Sequence, residues 1–153
     1  MNLSKYEELL DEVSSYGIKV LELDLGGDCG YCLNDMIFIN QSSCNTSKYC
    51  ILAEEFGHYL RTVGDITNLN LTENIKQEIK ARRWSYDKIL SPNKIIKVLL
   101  SGVTNLCELS EQLEVTETFL KEALEYYKNK HGIYYVGDTH LLIFEPLHVL
   151  EIF

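Results

Sequence analysis

From about Ser47 to Val63 the chain reads SKYCILAEEFGHYLRTV, and Ile51, Leu52, Phe56, Tyr59, Leu60 and Val63 recur at intervals of three and four. That spacing predicts a helix, with Asn45, Thr46 or Ser47 as its cap and Gly64 at its end. So many apolar residues require the helix to be buried. Glu54, Glu55 and His58 are then polar anomalies on a core element, and any fold for this chain must answer for them.

Residues four apart on a helix lie side by side on one face, so Glu54 and His58 can converge on a single ion. Zinc accepts carboxylate oxygen as well as imidazole nitrogen. The stretch is one residue away from HExxH, with Glu54 in the place of the first histidine. Glu55 stands where that motif keeps the carboxylate that takes a proton from the attacking water. A second helix is predicted from about Thr72 to Leu90, and its Glu78 is a third ligand candidate. Glu78, Ala81, Ser85 and Trp84 follow helical spacing, and a small alanine there would let two antiparallel helices approach closely. By spacing alone EExxH is a weak pattern, and an ordinary helix carrying a core histidine is the simpler account. Three ionisable groups among buried positions are costly, however, and a metal ion is one efficient compensation.

The rest of the chain frames this pair. Residues 3 to 16 are predicted helical, with Ser4 and Glu7 spaced as a capping box. GIKVLELDL and DMIFINQ alternate as strands, which predicts a hairpin or small antiparallel sheet with GGDCGYCLND as its turn. After Ser91-Pro92 come three short helices, NKIIKVLLSG, NLCELSEQLEV and TETFLKEALEYYKNK. Thr116 is a natural cap for the last, with Val115 and Leu120 placed as a hydrophobic staple. The tail, GIYYVGDTHLLIFEPLHVLEIF, predicts two strands around Gly137-Asp138 and an apolar extension. With 153 residues, no repeat and no linker, a single α+β domain over 1–153 is expected.

Composition excludes some functions. The net charge of −9 opposes contact with phosphate backbones, so no nucleic-acid binding is expected. The helical segment from 104 to 131 resembles a DNA-binding helix-turn-helix, but Glu117, Glu122 and Glu125 would face the phosphates. No window is apolar enough to span a membrane, and MNLSKYEELLDEV carries no secretory signal. A cytoplasmic protein with reduced thiols is expected from five cysteines, an odd number. Cys29 and Cys32 have CxxC spacing, but Cys44 and Cys50 do not supply a second pair for a zinc ribbon. They read as incidental thiols. Asp65 ranks behind Glu78 as a ligand, and His131, His140 and His148 read as surface or core residues, His140 being the one to watch.

With these residues in view, the chain resembles the ImmA/IrrE family of metallo-endopeptidases of bacterial phages and mobile elements. The resemblance rests on ILAEEFGHYL against LAHELGH, and on EIKARRWSYDKIL against ExxAxxFAxxLL. It continues through LSEQLEVTETFLKEAL, where members carry a further helical segment. It implies a zincin-like, mainly helical core with a small antiparallel sheet, a helix-turn-helix-like segment and short terminal strands. By position it implies Glu54, His58 and Glu78 as ligands of Zn²⁺, Glu55 as general base, and a helix-turn-helix repressor as substrate. A catalytically weak or inactive member that binds the repressor is the alternative. Glu54 departs from the family's histidine. Two carboxylates and one imidazole cancel the charge of a divalent ion, which makes it a weaker Lewis acid and predicts slower hydrolysis or a more alkaline optimum. An oxygen-rich site also lets Mn²⁺ or Fe²⁺ compete.

Overall fold

A computed structural model describes residues 2–61 and 71–152. The chain divides into two compact units, Met1–Ser85 and Tyr86–Phe153. Both combine helices with small sheets, so the fold is α+β.

The first unit opens with helix α1 (Lys5–Ser15). Ser4 caps it by accepting from the Glu7 backbone while the Glu7 carboxylate accepts from the Ser4 N–H, the predicted capping box. Tyr6, Leu9 and Val13 form its buried face. Strands β1 (Lys19–Leu23), β2 (Gly30–Leu33) and β3 (Met36–Asn40) follow, then helices α2 (Asn45–Arg61) and α3 (Leu71–Ile89). The sheet order is β1-β3-β2. GIKVLELDL and DMIFINQ therefore do pair, but in parallel rather than as a hairpin. The hairpin partner of β3 is β2, inside the stretch read as a turn. Asn34, in the left-handed conformation with φ 55°, makes the tight reversal between them. Ile37 and Ile39 of β3 are fully buried.

Two polar devices hold this unit together. Asn40 is buried, and its side-chain amide donates to the carbonyls of Gly26 and Asp28 while its oxygen accepts from the Ser42 N–H and hydroxyl. One side chain thus fixes the loop before β2 and the approach to α2. Glu22 on β1 accepts from the Tyr6 hydroxyl of α1 at 2.5 Å and from the Lys48 ammonium of α2 at 2.9 Å. Lys48 is buried apart from these contacts.

The second unit contains the end of α3, helices α4 (Pro92–Leu100), α5 (Leu106–Leu113) and α6 (Glu117–His131), and strands β4 (Tyr134–Val136), β5 (His140–Phe144) and β6 (Leu147–Glu151). Pro92 begins α4, and the Thr116 side chain caps α6 by accepting from the Phe119 N–H. Val115 and Leu120 are both buried, as a staple requires. The apolar extension LHVLE is a third strand, and β4-β5-β6 is an antiparallel meander. Leu109, Leu113, Leu120, Ala123, Tyr127 and Leu142 fill this core. Among the described residues no helix is long and apolar enough to cross a membrane.

Candidate metal centre

The approach of α3 to α2 is set by small residues. A β-carbon on Gly57 would lie 2.8 Å from the carbonyl oxygen of Ala81 and 3.0 Å from the Trp84 ring. Glycine inside a helix costs about 1 kcal/mol relative to alanine, and here it purchases contact between backbones. Ala81 and Ser85 are fully buried on the facing side. Above them Phe56 stands edge-on between Tyr16 and Trp84, with both ring centroids 5.1 Å away. The anticipated face of α3 is thus the one that meets α2.

This packing brings Glu54, His58 and Glu78 together. One ligand atom from each lies within 4.8 Å of the others, and among the described residues this is the one group of its kind. His58 Nε2 is 3.3 Å from Glu78 Oε1. One imidazole nitrogen and two carboxylate oxygens are the donor types a zinc-class divalent ion accepts, so the residues fit such an ion. Burial differs from the sequence expectation. The His58 side chain is 17% exposed and Glu54 29%, but Glu78 is 52% exposed. The face of α3 ahead of Ala81 meets solvent, so the cluster has a wet side and the cost of burial falls on α2.

Glu55 is turned toward the sheet. A β-carbon on Gly30 would sit 2.7 Å from Ile51, 2.8 Å from the carbonyl oxygen of Phe38 and 3.8 Å from the Glu55 side chain. β2 therefore lies on α2 at a point where no side chain fits between them. Burial pushes the Glu55 carboxyl up to about 8, and repulsion from Glu54 and Glu78 adds to the rise. Its charge also reaches Cys32, whose thiol burial pushes up to about 11 with Glu55 contributing.

The other candidates do not join the group. Asp65 lies outside the described residues. Cys29, just before β2, and Cys32, on it, are free thiols. His140 contacts Thr139, His148 contacts the Pro146 carbonyl, and His131 stacks among Tyr127 and Tyr135. Three contributors escaped the sequence pattern. Gly30 and Gly57 act by having no side chain, although a glycine within a strong helix pattern is itself a signal. The third is Arg82, whose Nε lies 3.4 Å from Glu54 Oε1. Its position four residues after Glu78 could have revealed it.

Comparison with curated proteins and with solved structures gives no match. The family model Peptidase_M78, described as the IrrE N-terminal-like domain, matches residues 13–125, a span that includes both α2 and α3. The chain belongs to that metallopeptidase-like family.

Proposed function

We propose that this protein is a metal-dependent endopeptidase in which Glu54, His58 and Glu78 hold the ion and Glu55 moves the proton. The observation that carries the reading is the three-donor group on two helices, beside a carboxyl whose burial raises its proton affinity. When bound, a divalent ion supplies Lewis acidity toward a peptide carbonyl. His58 and Glu54 are held one turn apart by α2, and Glu78 is brought to them by the Gly57–Ala81 contact. Burial, more than the neighbouring carboxylates, keeps the proton on Glu55 at neutral pH. A cation held beside it would lower that affinity, so that Glu55 could accept a proton from water as the oxygen adds to the scissile carbon. It then hands the proton to the amide nitrogen as the C–N bond breaks.

Zinc is the expected ion, with Mn²⁺ or Fe²⁺ as competitors at two carboxylates. The proposed substrate is a helix-turn-helix repressor of a phage or mobile element, in the cytoplasm, and it rests on the family resemblance. The test is Glu55→Gln. It should abolish cleavage of a co-encoded repressor while metal uptake and repressor binding persist. Protein that, purified without added metal, holds less than roughly a tenth of an equivalent and shows no zinc affinity on titration overturns the site.

A second reading is favoured by one observation. The Glu54–Arg82 ion pair and the His58–Glu78 contact at 3.3 Å give the same groups partners without an ion. A non-catalytic, repressor-binding protein would keep these contacts, bind no ion and be indifferent to Glu55→Gln.

A further inference from the structure

The contact between Arg82 and Glu54 carries an inference that rests on the proposed metal site and deepens it. Glu54 is four residues before His58 on α2, and Arg82 is four residues after Glu78 on α3. Glu54 therefore opposes Arg82 while His58 opposes Glu78, the register of two antiparallel helices whose facing rows meet. The four side chains form one continuous patch, and its single cation contacts the residue that departs from HExxH.

Two physical needs arise at that residue. A glutamate has one more rotatable bond than a histidine, so its donor atom is less well fixed. A carboxylate also brings a negative charge that an imidazole does not. With two carboxylates and a neutral imidazole, the ligands cancel a divalent ion completely. A guanidinium on Glu54 gives back one positive charge, and the patch then matches the overall charge of two histidines and one glutamate. Both needs are met by one contact. Arg82 is about half exposed, so it reaches Glu54 from the rim and leaves the packed Gly57–Ala81 seam alone.

We infer that Arg82 is the positioning residue for Glu54, and that Glu54 with Arg82 together take the place of the first histidine of HExxH. The neutral centre expected from the ligands alone is thereby corrected: its charge, and the metal's strength as a Lewis acid, return toward those of the histidine form.

The test is a double-mutant cycle on zinc affinity of the full chain, read by competition with a chromophoric chelator. Arg82→Gln should weaken zinc binding by ~10–100-fold, the usual cost of removing a residue that orients a ligand. Arg82→Lys, which keeps the charge, should recover most of that loss. In a Glu54→His background Arg82→Gln should change affinity by less than about threefold, because the residue to be oriented is gone. The visible spectrum of the cobalt-loaded protein should shift with Arg82→Gln only when Glu54 is present. Glu54→Gln gives a second background if the histidine variant misfolds. An Arg82→Gln protein that binds zinc like the parent overturns the inference, as does an equal loss in every background. A parent chain that takes up no zinc overturns both this inference and the metal site beneath it.

Discussion

Glu22 on β1 and Glu55 on α2 belong to the same unit, and their surroundings drive them in opposite directions. Glu22 accepts hydrogen bonds from Tyr6 and Lys48, and these partners lower its carboxyl below the ordinary range. Burial and two neighbouring carboxylates raise Glu55 to about 8. The first is a fixed negative charge that ties a strand to two helices. The second is a carboxyl whose proton can be moved at neutral pH. Sequence position does not distinguish them, but burial at Glu55 and hydrogen-bond partners at Glu22 do, and a like separation of carboxylates by environment is how enzymes divide acid and base work.

The comparison can be broken at either end. The largest effect is expected at Glu55, where glutamine should lower cleavage by ~10²–10⁴-fold in a turnover assay, the contribution of a positioned acid–base group. The same change at Glu22 should leave the rate per folded molecule intact. Next, Lys48→Met should destabilise the protein by about 1–2 kcal/mol in urea unfolding, since it removes a charge-assisted bond to a carboxylate that water partly screens. It should also weaken the protein's acid sensitivity. Glu22 is lowered in the folded state, so its contribution is present above its unfolded value and lost as pH falls through the folded one.

Glu55 should show the opposite sign. Its folded value is raised from 4.5 to about 8, so full stability is present below 4.5 and is lost as pH rises through about 8. Metal-free Glu55→Gln should therefore melt above the parent by roughly 3–6 °C near pH 8, with the gap closing toward pH 4.5. A constant gap would mean that Glu55 is not a buried titrating group. The smallest effect is expected from Tyr6→Phe, about 1 kcal/mol in the same urea assay.

Much of this arrangement is legible in the residues. The period of α2, the Ser4–Glu7 box and the Ser91-Pro92 break specify helices locally, because caps and amphipathic stripes act within a few positions. Glu54, His58 and Glu78 could be grouped because helical spacing converts sequence into a face. The parallel pairing of β1 with β3 was not legible, since two alternating runs carry no mark of relative direction. β2 was hidden because a four-residue strand of Gly, Tyr, Cys and Leu looks like the turn residues beside it. The burial of Lys48 could not be read either, as lysine is seldom buried and its partner lies 26 residues away. The exposure of Glu78 is not legible because apolar residues on α3 such as Ile75 and Ile79 face solvent.

Gly30 and Gly57 have a consequence for how substitutions across this chain will be tolerated. Neither has a group that could bind an ion or move a proton, yet an added β-carbon at either would meet backbone at 2.8 Å. In a library that replaces every position and selects for active molecules, both should be depleted as severely as His58. Exposed Arg82 should tolerate lysine. Intolerance at the two glycines would mark the seams along which a strand and a helix are laid against α2, and a ranking by intolerance alone would confuse those seams with the chemistry they hold in place.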